Sequence, residues 1–392
     1  MNVVFPSVLL VIIGIFLFVT MILKIRISKN LYLIISFLGI LSLSSVAFMF
    51  IPGGTSYFST FDLTRYFWEV NDLRTEGVTY LLKILKSSFE PMRYIYFYLI
   101  SLTNSNHWLT FCNALLIYSM LGYVFIDGYL SFNENNLEKR PQISKQKILI
   151  RTDELVIIII LMFSMNHFAE IINTIRADLA FTTSGFVIYL YYRKKINLFV
   201  TTAIMLSAVL LQSGAIIAVS IFFIYKLFPQ IYRYRYLIIL WQLMLNVIVT
   251  ILSKIDNFYV HYLITTLMDI IKINAFGMQV YWITAIALLI TIDLICNNII
   301  KDNVDDKAAS IIKLNQIMIA FTIGSYHTMI FIRMFFLLAV LTPFVIHYAN
   351  IVLNKKKKKI LFWPMIICAL GLIAYHTSIF IIRIMVSNST WM

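Results

Sequence analysis

Residues 198–228, LFVTTAIMLSAVLLQSGAIIAVSIFFIYKLF, hold a single charge, Lys226, in 31 positions. The stretch lies between two basic clusters, Arg193-Lys194-Lys195 and the pair Arg233 and Arg235. A hydrocarbon layer roughly 30 Å thick takes about 20 residues per helical crossing, so two full crossings want about 40. One long helix would carry the second cluster to the opposite side of the bilayer from the first. Lys and Arg translocate poorly, which argues for both clusters on the cytoplasmic side. The stretch therefore predicts two short or tilted helices meeting at Gln212-Ser213-Gly214. Backbone that turns at membrane depth must be buried in protein or line a wet cavity. The reading is an all-α, polytopic integral membrane protein with a cavity open to the outer face.

The whole composition agrees. The 392 residues are 61% hydrophobic and 13% charged, with a mean hydropathy of +0.87. A soluble domain carries about 25% charge. These values exclude an ordinary soluble enzyme, a disordered chain and a disulfide scaffold. Cys112, Cys296 and Cys368 lie in or beside apolar stretches, with no metal-ligand or disulfide spacing, and read as small buried residues. Met1–Leu23 has no charged leading region and no small-residue cleavage site, so it reads as a retained first helix. No phosphate loop, dinucleotide fingerprint or nucleophile elbow is present. No basic run is interleaved with aromatics in a soluble region, so nucleic acid is not an expected partner; the lipid bilayer is.

Working outward, apolar runs at Val3–Leu23, Leu31–Ile51, Trp108–Ile126, Leu155–Ile172, Leu179–Tyr192, Leu237–Leu252, Tyr281–Ile295, Leu314–Ile330, Met334–Leu353 and Ile360–Met385 join the opening hairpin. About 10–12 crossings with short hairpins are expected, in a single transmembrane domain over residues 1–392. Residues 52–107 read as an outer loop region with a short interfacial helix near Tyr94–Leu102. Residues 131–151, with Lys139, Arg140, Lys145, Lys147 and Arg151, read as a cytoplasmic loop. With Lys24–Lys29 inside, 22 of the 32 Lys and Arg fall on one side. The alternation fits twelve spans with both termini outside.

Ten basic residues break that rule, and six of them are Arg. Arg176, Arg333 and Arg383 lie within apolar stretches. A charge at the centre of a membrane helix costs about 2.5–3.5 kcal/mol on insertion scales, so it usually faces a polar interior and marks function. The densest polar patch in an apolar setting is Asn166–Asp178, which holds His167, Glu170, Arg176 and Asp178. His167 and Glu170 are three apart and share a face if the patch is one helix. The patch reads either as a Glu–Arg pair joining two helices or as an anion site, Arg being suited to bidentate grip on phosphate. Asp62-Leu63-Thr64-Arg65-Tyr66 opens the first outer loop, either as a solvated amphipathic segment or as a sugar-binding one. Asp62 there could act as base toward a hydroxyl. Two further outer sets, Tyr326-His327-Thr328 with Arg333 and Tyr375-His376-Thr377-Ser378 with Arg383, repeat an aromatic–His–Arg order. A helix would put each His and Arg about two turns apart on one side.

Three of these segments resemble the Wzy/EpsG-type bacterial polysaccharide polymerases: the outer loop Phe61–Tyr66, the helix opening Ile175-Arg176-Ala177-Asp178-Leu179-Ala180, and the hairpin turn Leu210–Ala215. Many relatives carry a His before the turn serine, whereas this chain has Gln212, so polar binding rather than acid–base chemistry carries over to Gln212 and Ser213. The likeness covers roughly residues 30–230. It implies an enzyme of the bacterial cytoplasmic (inner) membrane that joins oligosaccharide repeat units carried on undecaprenyl diphosphate, making O-antigen, capsule or exopolysaccharide. The growing chain passes from its lipid diphosphate to a hydroxyl of the next lipid-linked unit. The leaving diphosphate needs preorganised cations, a role expected first of Arg176 and then of Arg333. His327, Glu170 and Asp62, in that order, are candidates to take the hydroxyl proton. Arg65, Tyr66, His167, Asp178, Gln212, Ser213, Tyr326 and Arg383 are expected to bind substrate. No metal or cofactor is needed if arginines carry the charge, and a chain-length regulator protein is a further candidate partner.

Three other readings remain at this point. An O-antigen ligase uses the same donor but usually has a larger late outer loop than Ser253–Gln279. A flippase for the same lipid should show internal repeats and cations through its depth, and neither is evident. A transferase using a polyprenyl monophosphate sugar should show a clear acidic pair in the first outer loop. The topology has a direct check: with the native cysteines removed, a cysteine at Ser59 is expected to react with an impermeant thiol reagent from outside and one at Asn135 is not. The reverse labelling overturns the assignment.

Overall fold

The computed structural model describes residues 4–23, 25–53, 62–138, 149–240, 279–301, 306–326, 328–355, 359–387 and 389–391, and the positions 251 and 254. It is helical almost throughout. Helices α1 (Val4–Ile22) and α2 (Lys29–Met49) form the first hairpin. Ser28 caps α2 by accepting from the Leu31 N–H at 3.3 Å. Next come α3 (Asp62–Leu85), α4 (Pro91–Ser101) and α5 (Trp108–Glu138), which continues past its expected end at Ile126. Then follow α6 (Thr152–Met165), the short α7 (Phe168–Asn173), α8 (Ile175–Tyr192), α9 (Leu198–Leu211), α10 (Ile216–Leu227) and the single turn α11 (Arg235–Ile238). The last four are α12 (Gln279–Ile300), α13 (Asp306–Gly324), α14 (Met329–Lys355) and α15 (Phe362–Ser387).

Among the described residues, six helices, α1, α2, α5, α12, α14 and α15, are individually long and apolar enough to cross a membrane. The bent unit Ser213–Leu227 with Pro229–Ile238 makes a seventh. The protein is therefore an all-α, multi-pass membrane protein. The larger number of crossings expected from sequence counts the shorter or more polar α6, α8, α9, α10 and α13. It also counts the run Leu237–Leu252, most of which lies outside the described residues.

Helix α14 is the axis: 83% of its Met329–Ala349 window is buried, against α5, α6, α8, α12 and α13. Lipid tails are as apolar as these side chains, so close packing rather than hydrophobic transfer holds such a bundle. Gly185 shows how close: a Cβ there would sit 3.0 Å from the Leu337 carbonyl oxygen and 3.2 Å from Val340 Cβ. The outer helices instead turn large apolar side chains outward, including Phe5, Ile12 and Phe18 on α1 and Trp363 and Ile367 on α15. That outward apolar surface is the one a bilayer covers.

The outer region departs from expectation. Among the described residues of 52–107 an amphipathic helix, α3, stands beside α4. Leu63, Tyr66, Val70 and Leu73 are buried at spacings of three and four while Trp68, Asp72 and Glu76 are exposed. A window sized for a membrane crossing does not register such a helix. The Asn166–Asp178 patch is likewise not one helix. His167 is the cap of α7, its Nδ1 accepting from the Ala169 N–H at 3.2 Å, so the expected shared helical face with Glu170 is not formed.

Two short ribbons mark the two ends of the bundle. Strand β1 (Arg26–Ser28), before α2, pairs with β3 (Leu149–Arg151), before α6, through Arg26↔Arg151, Ile27↔Ile150 and Ser28↔Leu149. Strand β2 (Phe50–Ile51), after α2, pairs with β4 (Thr390–Trp391), after α15. The first end collects the basic segments, among them Arg193, whose Nε donates to Asp127 Oδ2 at 3.0 Å. By the charge rule that end is cytoplasmic and the β2–β4 end is outside. Gly185→Leu is expected to force α8 and α14 apart at about 1–3 kcal/mol or more, read as a lowered melting temperature of the detergent-purified protein; an unchanged melting temperature would contradict the packing.

Candidate functional site

Four of the ten misplaced cations meet. A cavity of about 350 Å³ is lined by side chains from the start of α3, the α7–α8 junction, the α9–α10 break, the first turns of α12 and α14, and the second half of α15. It lies at the outer, β2–β4 end. Its wall holds Arg65, Arg176, Arg333 and Arg383 against two carboxylates, Asp62 and Glu170. Helices α8, α12 and α14 all begin here, so their positive dipole ends add to the guanidinium charge.

Arg176 stands in the first turn of α8, where a cation opposes the helix dipole. The structure offsets this with Glu90, whose Oε2 accepts from Arg176 Nη1 at 2.5 Å. Tyr66 adds its hydroxyl, 3.3 Å from Arg176 Nε, and its ring, 5.3 Å from the guanidinium carbon. The other oxygen of Glu90 accepts from Ser213 N at 3.0 Å and Ser213 Oγ at 3.1 Å. Glu90 thus ties α4, the α8 arginine and the α9–α10 break into one joint. Arg93 adds to it, pairing with Glu69 and lying 3.9 Å from Glu90.

Arg333 has no hydrogen bond or ion pair among the described residues. It fits because position 214 is glycine: a Cβ there would lie 3.0 Å from Arg333 Nη1. The break Gln212-Ser213-Gly214 is where the sequence placed it. Gln212 lines the cavity, while Ser213 serves Glu90. Opposite, Arg383 Nη1 lies 3.9 Å from Glu170 Oε1. Glu170 sits on α7, outside the spans, where burial raises its carboxyl and Arg383 opposes the shift. Asp62 pairs with Arg65 at 3.1 Å, and its backbone N–H donates to Asn173 Oδ1 at 2.7 Å, docking α3 on α7.

The two histidine sets have different fates. On α15, one unbroken helix, Tyr375, His376 and Arg383 all line the cavity, as their spacing required. His167 stacks on His376 with ring centres 5.2 Å apart and does not itself line the cavity. Its Nδ1 accepts from Ala169, so its Nε2 carries the proton and faces Thr377 Oγ1 at 3.2 Å. Burial pushes the His167 imidazole down to about 4, so the ring is neutral. Tyr326 and Arg333 do not share a helix, because the chain turns between α13 and α14 at Ser325–Thr328. Tyr326 lies away from the cavity lining, and His327 lies outside the described residues.

Asp178 also departs from expectation. It is fully buried, its Oδ1 accepting from Asn166 Nδ2 at 2.9 Å and Thr182 Oγ1 at 3.0 Å. Four residues, just over one turn, from Thr174, it faces Asn166 at the end of α6 and not the cavity. Glu90, Asn173, Thr174 and Tyr281 were not singled out in the sequence. Asn173 stood inside the polar patch, and Glu90 precedes the α4 proline at a helix start. Neither shows its partner before the chain folds. No family model, curated protein or solved structure matches this chain. Among the described residues, no group of three or more His, Cys, Asp or Glu is placed to hold a metal ion.

Chemically the site is a small outward chamber with an excess of fixed cations, one of them uncommitted among the described residues, beside two carboxylates and the His376 ring. It can bind a compact anion and receive a proton within the same space. Removing one partner of a buried ion pair strands the other charge at a cost on the order of 3 kcal/mol. Glu90→Ala is therefore expected to lower thermal stability clearly and Glu90→Gln, which keeps the Ser213 contacts, to do so less; equal and negligible effects would show that the joint holds nothing.

Proposed function

We propose that this protein is a membrane glycosyltransferase of the Wzy/EpsG polymerase type, extending a bacterial surface polysaccharide at the outer face of the cytoplasmic membrane. The observation that carries the reading is the convergence of Arg176, Arg333 and Arg383, from three different helices, with Arg65 on one outward cavity. An anion delivered from the membrane is what a lipid diphosphate offers. The cavity volume falls within the range of about 300–1,000 Å³ common to small-molecule clefts.

In this reading the donor diphosphate enters among the arginines. Arg333, uncommitted among the described residues, meets it first, and Arg176 is held ready by Glu90 and Tyr66. A hydroxyl oxygen of the acceptor sugar attacks the donor anomeric carbon. The bond from that carbon to the phosphate oxygen breaks, and the electron pair leaves on the diphosphate. Fixed guanidinium groups and helix N-termini stabilise that developing charge without reorganising. The hydroxyl proton passes to a carboxylate, first Glu170, whose burial raises its affinity for a proton, and second Asp62.

The test is the ladder of lipid-linked products in a deletion strain complemented with variants. Arg333→Ala and Arg176→Lys are expected to insert normally and to leave single repeat units on the carrier lipid. Long chains from either variant would count against the role. In the deletion strain, full chains retained on the carrier would instead indicate a lost ligase, and units held on the inner leaflet a lost flippase.

A further inference from the structure

A groove of about 360 Å³ opens between α1, α2, α5 and α6. It lies in the half of the bundle nearer the β1–β3 ribbon, whereas the reaction cavity lies at the outer end. Tyr32 in the first turn of α2 and Leu155 in the first turn of α6 both line it, and these are the helices that follow the ribbon strands. From Tyr32 to Leu43 the groove follows α2 for eleven residues, about 16 Å at 1.5 Å per residue. That is about half of a hydrocarbon layer roughly 30 Å thick, the depth that the chains of one leaflet fill.

No charged residue lines the groove, and apart from the hydroxyls of Tyr32, Ser36 and Tyr118 its wall is apolar. Gly14 on α1 and Gly39 on α2 leave it open, since a Cβ at either would meet nothing within 4 Å. Ile40, Leu43, Met162 and Phe163 are only partly buried. An apolar void excludes water, and its lining forgoes dispersion contacts until something apolar enters. Another helix, about 10 Å across, is too thick for this volume. A single hydrocarbon chain is not.

The ribbon at the cytoplasmic end of the groove supplies the polar half of a lipid site. Arg26 and Arg151 are cross-strand partners, and like charges directly opposite one another destabilise a strand pair. Arg151 Nε lies 3.5 Å from Glu154 Oε1, and the other oxygen of that carboxylate lies 3.5 Å from His347 Nδ1. Arg26 is exposed, and its side chain has no ion pair or hydrogen bond among the described residues. Lys29 adds a third cation where α2 begins. An anion at the ribbon relieves this repulsion, and the anionic lipids of the cytoplasmic leaflet attract such basic segments. We propose that the groove seats one acyl chain of an anionic phospholipid of the cytoplasmic leaflet, whose phosphate meets Arg26 and Arg151. The chain fills the seam between the peripheral α1–α2 hairpin and the bundle, so lipid as well as protein holds the hairpin in place. The site is independent of the proposed glycan chemistry.

The experiment uses the full-length protein in detergent micelles, with dioleoyl phosphatidylglycerol and dioleoyl phosphatidylcholine as probes. Native mass spectrometry reads how much of each lipid is retained, and thermal melting reads its effect on the fold. Phosphatidylglycerol is expected to be retained and to raise the melting temperature. Phosphatidylcholine, with the same chains and no net charge, is expected to bind about tenfold more weakly. Arg26→Glu is expected to remove that preference. Gly39→Leu places a side chain in the groove without a clash, so it is expected to fold with at least the lipid-free melting temperature of the wild type and to lose phosphatidylglycerol. Gly14→Leu repeats the test from α1. Equal retention of the two lipids by the wild type overturns the headgroup assignment. Undiminished phosphatidylglycerol retention in both folded glycine variants overturns the groove assignment, as does a polyprenyl phosphate retained from the native membrane in place of phospholipid.

Discussion

A guanidinium group at membrane depth must find its solvation inside the protein, since lipid tails offer neither a counter-charge nor a hydrogen bond. That constraint organises the outer half of this molecule. Arg176, Arg333 and Arg383 lie on α8, α14 and α15, far apart in sequence, and the bundle turns all three toward one chamber. Their surroundings differ in kind. Arg176 is fully engaged by Glu90 and Tyr66, Arg383 faces Glu170 at the longer distance of 3.9 Å, and Arg333 is left to the cavity. Among the described residues no partner pairs Arg333, whereas a site built only for stability would pair every cation, because an unpaired buried charge is expensive.

The second organising feature is the interruption of helices at the outer end. The α6–α7–α8 junction and the α9–α10 break both place residues on the cavity wall, where irregular backbone is permitted. Glycine at 214 leaves the volume that Arg333 occupies. Glu90 bonds the serine beside it. Breaks, cations and an outer helix pair are thus one construction: α3 and α4 close over the bundle end and supply Tyr66 and Glu90 to an arginine on α8.

Much of this was legible in the residue order. Hydropathy along the chain specifies membrane helices because each crossing is a local matter of length and apolarity. The break at Gln212-Ser213-Gly214 followed from 31 residues being too few for two full crossings between basic loops. The outward side followed from the distribution of Lys and Arg. The three arginines stood out because charge in an apolar run is costly wherever it falls. Helix α3 did not stand out, since its apolar positions recur at three and four rather than in a run. Glu90 sat unmarked in a polar segment.

Sequence alone determined the membrane class, the orientation rule and which charges needed an explanation, because insertion energies are nearly additive along a chain. Tertiary structure decided which of those charges share a space. Asp178, two residues from Arg176, turns into the core to meet Asn166 and Thr182, whereas Arg333, more than 150 positions away, enters the cavity. The turn at Ser325–Thr328 parts Tyr326 from Arg333, while unbroken α15 keeps His376 and Arg383 together. Such outcomes depend on helix rotation and on where breaks fall. Both are set by packing against distant partners, which no local window of sequence contains.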